Sequence, residues 1–167
     1  MTASAGASPT VSVAFNATDV QFATDMIPHH QQAVDMADLA ATHASNPDVK
    51  ALAAKIHKAQ DPEIGTMSAW LRSWGEPVPG PMHHEAGDMG GMPGMLTDTE
   101  LRQLAAANGP AFDTKFLTLM IKHHEGAIET AKTAQEQGSA VKHLAAEIAT
   151  TQTAELTEMK TLLDKLP

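Results

Sequence analysis

A two-segment pattern that occurs twice constrains this chain more than any other feature. Residues 22–37 contain Phe, Met-Ile, His-His and Ala at positions that recur, with a constant offset, in residues 116–131. The next segment, residues 49–71, recurs in the same way as residues 141–163, with Gln, Glu and Met at matching places. Self-similarity of this kind indicates a duplicated structural unit. The unusual residues, His and Met, lie inside the duplication.

Each repeated segment has the spacing of an amphipathic helix. Taken at about 100° per residue, Met26, His29 and Met36 lie close to one line, and His30 lies on its flank. Pro28 is expected to kink this helix just before its two histidines. Four long helices in two repeated hairpins favour an all-α fold, an antiparallel four-helix bundle with pseudo-twofold symmetry. Caps and breaks predict helices over residues 17–43, 47–74, 98–107, 110–137 and 139–165.

The chain divides at its stretches of small, Gly and Pro residues. Residues 1–15 are rich in Ser, Ala and Pro and are predicted to be a flexible leader. The rest is predicted to be a single domain, with repeat one over 16–75, a linker over 76–96 and repeat two over 97–167. Gly and Pro are too frequent in the linker for a helix or a strand, so it is predicted to cross over between the two hairpins.

Composition excludes several classes of function. The net charge of −9, without a basic cluster, argues against nucleic acids and anionic membrane surfaces as partners. The absence of cysteine excludes disulfides and thiolate sites, so ten Met and nine His hold the capacity of the chain for softer metals. No apolar run reaches the length of a transmembrane helix.

The first nine residues bear on the location of the protein. They lack the positive start and the apolar core of a signal peptide. Their small side chains are typical of the spacer that follows a removed signal or a lipoprotein anchor. The expected location is therefore extracytoplasmic (periplasmic, secreted or lipid-anchored), with the signal sequence missing from this chain; a cytoplasmic location stays open.

The helical Met and His residues form a candidate metal centre. Met26 lies one helical turn before His29 and His30, so a thioether and two imidazoles share one helix face. Imidazole serves several transition metals, whereas thioether favours soft Cu(I) and Ag(I). The second repeat has the same relation at Met120, His123 and His124.

A structural interpretation of these histidines stays open beside the metal-binding one. In it, His29 and His123 are core residues that are hydrogen-bonded to repeated Gln and Glu side chains, since buried polar groups need partners. The Met residues then fill gaps in the core. Alternatively, the same Gln and Glu side chains orient imidazoles that bind a metal. These side chains are Gln60, Glu63, Gln152 and Glu155.

The linker carries a second candidate site. Met89, Met92 and Met95 occur at every third residue of a backbone that is too rich in Gly and Pro to bury them in a core. Thioethers hold Cu(I) without losing a proton, so they work in acidic or oxidising surroundings where thiols would be consumed. The linker is therefore predicted to capture Cu(I). Its upstream candidate ligands are Met82, His83 and His84.

Catalytic functions are disfavoured. A di-iron centre in a helix bundle uses Glu from two helices and Glu-x-x-His from the other two. The helices without His-His contain no Glu-x-x-His, and the His-His helices lack the complementary inward Glu. The chain also lacks a Gly-rich phosphate loop, a G-x-S-x-G sequence and a His-Glu-x-x-His sequence. It is therefore predicted not to be an enzyme and to have no catalytic residues.

The repeated motifs resemble a bacterial family, domain of unknown function 305. Residues 26–37 match its pattern Met-Ile-Pro-His-His-Gln-x-Ala-Val-x-Met-Ala, and residues 56–71 match Ile-x-x-x-Gln-x-x-Glu-Ile-x-x-Met-x-x-Trp-Leu. Residues 120–131 and 148–163 match again, so the resemblance covers most of residues 18–165. It implies a ferritin-like four-helix bundle, export or lipid anchoring and, for some members, binding of copper and silver and tolerance to them.

The resemblance also implies a set of metal ligands in the helices. Thr130 stands where the first repeat has Met36, so the two halves cannot supply identical ligands. The Met-rich linker is not part of the core pattern of the family and depends on its own chemistry. The residues that match are Met26, His29, His30, Met36, Met120, His123 and His124.

These observations predict an all-α, extracytoplasmic protein that binds copper, with Cu(I) favoured, for sequestration, delivery or tolerance. The linker is expected to capture the ion and the Met/His cluster to hold it, and silver is a second candidate ligand. A copper-transfer protein and a second copy of the chain are candidate partners. One alternative is a helical interaction module whose His, Gln and Glu network is only structural. Another is a ferritin-like metal-dependent oxidase, which the missing Glu-x-x-His disfavours.

Overall fold

The computed structural model describes residues 14–80 and 92–167. Every regular element in these two stretches is a helix, which confirms the predicted all-α fold. None of these helices carries an apolar run long enough to cross a bilayer. The helices are α1 (Ala17–His43), α2 (Pro47–Trp74), α3 (Asp98–Ala106), α4 (Pro110–Gln137) and α5 (Lys142–Lys165).

Local capping explains most of the helix boundaries. Asn16 and Asp19 form a reciprocal capping box at the start of α1. Asn46 caps α2, Pro47 occupies its first position, and Gly75 ends it at a φ of 74°, a left-handed conformation that glycine adopts without strain. These signals are local, so the predicted and observed bounds of α1, α2 and α4 agree, and α3 ends one residue early. α1 continues through Pro28, whose kink stays a prediction.

The start of α5 differs from the prediction. Ser139 was expected to begin this helix, but the observed helix begins at Lys142. The reason is a contact from the other repeat: the Asp19 carboxylate accepts the backbone N–H groups of Ser139, Ala140 and Val141, at 2.7, 3.1 and 3.2 Å. These hydrogen bonds hold residues 139–141 in a turn, because all three N–H groups point towards one carboxylate. In a helix they would point along the helix axis.

Asp113 makes the matching contact in the opposite direction. It lies on α4 at the repeat position of Asp19 and accepts the Ser45 N–H at 3.0 Å, the Ser45 hydroxyl at 2.5 Å and the Asn46 N–H at 2.9 Å. Each repeat therefore uses one buried aspartate to hold the interhelical turn of the other repeat. Asp19 and Asp113 share a repeat position, a signal that our sequence analysis missed.

The long helices pack as two adjacent pairs. α1 lies along α2, and α4 lies along α5; α1 also contacts α4, and α2 contacts α5. The short helix α3 contacts α4 and α1. The duplicated halves thus meet chiefly through α1 and α4, the two helices that carry the His-His sequences.

The core consists of two apolar clusters with polar residues between them. One cluster takes in the C-terminal half of α1 and the N-terminal half of α4. The other takes in the N-terminal half of α1 and the C-terminal half of α4. The intervening residues, which we call the polar layer, come from all four long helices. They are His29, His30, Gln60, Glu63, His123, His124, Gln152 and Glu155.

Candidate metal centre

Two histidines from opposite repeats meet in the polar layer. His29 on α1 and His123 on α4 are almost completely buried, and their ring centroids lie 3.6 Å apart with the planes inclined by 30°. They occupy the same repeat position on two helices that contact each other. The duplication therefore places one imidazole against the other.

The ring nitrogens of this pair lack partners. Neither Nδ1 nor Nε2 of His29 or His123 makes a hydrogen bond of good geometry with the residues that the structure describes. This finding contradicts the idea that repeated Gln or Glu side chains bond these two rings. The carbonyls of Pro93 and His29 lie close to the His29 and His123 rings, respectively, and influence their pKa values.

Both rings are held in the neutral form. The pKa of His29 falls from 6.5 to about 3, first because burial penalises the charged ring and then because of repulsion from His30 and His124. Burial likewise places the pKa of His123 well below 6.5, and repulsion from neighbouring histidines, His29 first, adds to the effect. The nearby carbonyls oppose these shifts only in part. At neutral pH the pair therefore presents uncharged nitrogen lone pairs, the form in which imidazole binds metals.

The other two histidines are held by carboxylates. His30 donates its Nε2–H to Glu63 at 2.6 Å, and His124 donates its Nε2–H to Glu155 at 2.8 Å. Both rings are fully buried, and α2 covers the flank of α1 that carries His30 with Glu63. The Nδ1 atoms have no hydrogen-bond partner in the part of the chain that the structure describes. A histidine whose other nitrogen is bonded by a carboxylate is typical of metal centres.

Two glutamines complete the polar layer. Gln60 and Gln152 are buried, and neither amide makes a hydrogen bond with a described residue. They lie one helical turn before Glu63 and Glu155, so each helix of the α2 and α5 pair contributes one amide and one carboxyl group. The polar layer therefore contains polar atoms to which its own side chains give no hydrogen bond.

The helical Met residues are buried on either side of this layer. Met26 lies in the apolar cluster with the N-terminal half of α1, whereas Met36 and Met120 lie together in the other cluster. Thr130, at the repeat position of Met36, is only half-buried. Within residues 14–80 and 92–167, no three His, Cys, Asp or Glu side chains form a ligand group for one ion.

The Met-rich linker is described only in part. Met92 and Met95 are half-buried, and Met92 packs against an apolar cluster. The reason is the seat of Pro93 and Gly94 against α4, next to Gly126. The remaining linker ligands lie outside the described residues: Met82, His83, His84 and Met89.

The residues that hold this part of the linker were not predicted from the sequence. Gln32 bonds both backbone groups of Leu96, and Gly126 leaves room for the Pro93 carbonyl. Gln32 and Gly126 occupy the same repeat position. The available signal was a glycine inside a helix, which often marks a close backbone approach or a functional site.

Comparisons place the fold among known structures. Residues 19–163 match the family described as domain of unknown function (DUF305). A structure from Streptomyces coelicolor, described as a candidate secreted DUF305 protein, is 33% identical, with a TM-score of 0.78 over 89% of this chain and 93% of that chain. A DUF305 fragment from Deinococcus radiodurans is 30% identical, with a TM-score of 0.80 over 91% of this chain and 99% of the fragment.

A further similar structure contains metal ions. CopM in its Cu(I)-bound form is 32% identical, with a TM-score of 0.70 over 89% of this chain and 97% of that chain. CopM has also been solved in Cu(II)-bound and Ag-bound forms. No curated protein matches the chain by sequence. Because the family match spans nearly the whole described fold, including both repeats, the chain belongs to the DUF305 family.

Proposed function

We propose that this protein is a non-enzymatic copper-binding protein of the extracytoplasmic space that takes its ion as Cu(I). The observation that carries the proposal is the contacting pair His29 and His123, whose four buried ring nitrogens lack hydrogen-bond partners among residues 14–80 and 92–167. Leaving a buried polar group unsatisfied costs about 1–3 kcal/mol. Each neutral ring has one nitrogen with a lone pair and one N–H, so a bound ion accepts one lone pair from each ring and removes that part of the cost.

The surroundings of the pair favour a soft, singly charged ion. Met26 and Met120 are buried one helical turn before His29 and His123, and thioethers prefer Cu(I) and Ag(I). Burial penalises charge, so a monovalent ion is less costly to desolvate here than a divalent one. Silver shares this chemistry with Cu(I) and is the second ion that we expect to bind.

The ring contact constrains where an ion is bound. The faces of His29 and His123 are in van der Waals contact at 3.6 Å, so an ion shared by both rings binds at their nitrogen-bearing edges and not between the faces. The free Nδ1 atoms of His30 and His124 are additional candidate ligands in the same layer. Glu63 and Glu155 then act as the groups that orient these rings.

The similar structures support the proposed metal and the proposed location. CopM is crystallised with Cu(I), Cu(II) and Ag, and the Streptomyces protein is described as a candidate secreted protein. We propose a ferritin-like antiparallel four-helix bundle with the polar layer partway along its axis. Its expected role is sequestration or delivery of copper without turnover. Capture of the ion by the Met-rich linker and transfer to a partner protein stay predictions.

The test is a competition for Cu(I) with a chromogenic chelator under anaerobic, reducing conditions. The intact protein is compared with H29Q/H123Q and with a matched control, H57Q/H143Q, in which two histidines outside the polar layer are replaced. Removing groups that merely orient ligands costs about 10–100-fold in metal affinity. Loss of both central imidazoles is therefore expected to cost more than about 100-fold, while the control binds like the intact protein.

Two further arms assign the ligands. A variant with Met82, Met89, Met92 and Met95 replaced by Leu measures the contribution of the linker. Repeating the competition at a pH near 3, the pKa of His29, separates imidazole ligands, which protons then displace, from thioethers, which protons do not. If the intact protein cannot compete with the chelator at all, the copper proposal fails, and the interaction module with a structural polar layer takes its place.

A further inference from the structure

Three aromatic side chains form a row on the surface at one end of the bundle. They are Phe15, Trp74 and Trp70, and we call them the aromatic patch. The rings of Phe15 and Trp74 stack with their centroids 4.8 Å apart, and those of Trp74 and Trp70 stack at 6.0 Å. Phe15 is 40% exposed, which makes it the one exposed large apolar side chain in the part of the chain that the structure describes. Both tryptophans are half-buried. A contiguous apolar surface of this kind indicates a site of interaction, whereas scattered apolar residues do not.

The patch lies at the end of the bundle where α1 and α5 begin and α2 and α4 end. Trp74 is the last residue of α2. Phe15 immediately precedes Asn16, whose side chain donates to the carbonyl of Gln137, the last residue of α4, at 3.1 Å. Residues 1–13 join the described chain one residue before Phe15, so they are attached to the bundle beside the patch. A lipid anchor ahead of them, one form of the predicted extracytoplasmic location, would keep this end of the bundle near a membrane.

The charge at this end differs from that of the whole chain. The chain carries a net charge of −9, but the accessible charges in the two helical turns nearest this end, and in the residues that adjoin them, are balanced. The remaining carboxylate, Asp19, is buried and accepts backbone N–H groups. The negative charge of the protein therefore lies away from the patch, and a lipid surface without net charge can approach this end without repulsion. The balanced residues are Arg72, Lys132, Lys142, Glu76, Glu136 and Glu147.

We propose that the aromatic patch docks this protein on the surface of a phospholipid bilayer without net charge, with its rings at the level of the headgroups. Tryptophan is enriched at that depth, because its ring is apolar and its N–H requires a polar partner. Trp70 and Trp74 also pack on an apolar cluster of the core, so the patch is formed before it meets a membrane. Three partly covered rings bind weakly, and stable attachment usually takes two signals, so the patch acts as the second signal beside an anchor. The inference does not depend on copper binding.

The tryptophans make the patch its own probe. The chain has two tryptophans and no tyrosine, so its tryptophan fluorescence reports on this surface alone. The full chain is mixed with phosphatidylcholine vesicles at about millimolar lipid, with and without bromine on the acyl chains next to the headgroups. We expect the emission to shift to the blue, brominated lipid to quench it, and part of the protein to float with the vesicles.

A pair of variants tests the patch by substitution. Phe15→Ala removes its most exposed ring, and Leu166→Ala, just after the end of α5 at the opposite end of the bundle, is the control. Because only the exposed part of the Phe15 ring is available to lipid, we expect Phe15→Ala to weaken partitioning about threefold to fivefold and Leu166→Ala to leave it unchanged. Both variants are expected to bind Cu(I) like the intact protein.

Four outcomes would overturn the inference. The intact protein neither floats nor is quenched, or it floats with unchanged tryptophan emission, in which case another surface binds the lipid. An emission change that depends on protein concentration without vesicles assigns the patch to a second copy of the chain. A change caused by a soluble oligosaccharide but not by vesicles assigns it to a sugar. Quenching is measured on the intact protein, so it decides even if Phe15→Ala does not fold.

Discussion

The two halves of the polar layer are similar in sequence and different in surroundings. His30 and His124 each donate to a carboxylate one helix away, but the Glu63 side chain is 18% exposed, whereas that of Glu155 is 1% exposed. The first half is therefore the side on which solvent reaches the layer. Duplication supplied the paired rings, and the divergence of their neighbours made the two sides of the centre unequal.

A second difference lies one helical turn further along each His-His helix. Gln32 and Gly126 share a repeat position, yet Gln32 bonds the backbone of Leu96 through its side chain, whereas Gly126 leaves room for the Pro93 carbonyl because it has no side chain. Two identical residues could not hold this one segment in both ways. The packing of this chain therefore depends on positions where the repeats differ as well as on those where they agree.

The largest expected effect comes from removing the carboxylate in the more buried half of the polar layer. Glu155→Ala removes the partner of His124 and leaves a cavity, so we expect a loss of about 3 kcal/mol in the free energy of unfolding. Glu63→Ala is expected to cost about 1 kcal/mol, because water can reach its site. Urea denaturation of both variants measures the difference. Glu158→Ala, an exposed partner of Lys55, serves as the control and should stay within about 0.5 kcal/mol. Equal losses for Glu155 and Glu63 would contradict the asymmetry.

The crossed aspartates are expected to give the next largest effect. Asp19→Ala and Asp113→Ala each remove the carboxylate that accepts hydrogen bonds from a turn of the opposite repeat. We expect each change to lower the free energy of unfolding by about 2 kcal/mol. Urea denaturation again provides the measurement, and Asp35→Ala, at an exposed site on α1, is the control. A loss confined to one of the two variants would show that the two contacts are not equivalent.

The buried methionines test whether the halves contribute equally to metal binding. Met26→Leu and Met120→Leu conserve volume and should change stability by less than about 1.5 kcal/mol. We expect each to weaken Cu(I) binding about tenfold, which corresponds to about 1.4 kcal/mol. Met67→Leu and Met159→Leu, buried at matching positions of α2 and α5, are the controls. Chelator competition gives all four affinities, and affinities equal to that of the intact protein would exclude Met26 and Met120 as ligands.

The smallest expected effect is a pH dependence at Asp19. Burial raises the pKa of this carboxyl, but backbone N–H groups of Ser139, Asn16, Ala140 and Val141 together lower it below 3.8. Its stabilisation is therefore fully present above the unfolded value of 3.8 and is lost as pH falls through the lower folded value. The stability difference between the intact protein and Asp19→Asn should shrink across this window. A difference that is constant or grows with acid would contradict the assignment.

Sequence patterns alone predict much of the fold and part of the centre. Helix ends depend on contacts within a few residues, which is why the predicted bounds of α1 and α2 agree with the observed caps at Asn16, Asn46 and Gly75. The repeat likewise singles out the His-His pairs, because they recur at matching positions of both halves. Both results depend on short-range or repeated patterns that can be recognised in a single sequence.

Tertiary structure decided what these signals could not. The start of α5 depends on Asp19, a residue 120 positions away, and the burial of His30 depends on a helix supplied later in the chain. Gln32 and Gly126 hold the end of the linker at Leu96 and Pro93, and local composition gives no reason to pair these two residues. The sequence by itself determined the helices and the histidines that they carry, because turn-by-turn hydrogen bonding and periodicity are local. Only packing decided which ring nitrogens stay free, because that depends on the groups that distant segments bring to them.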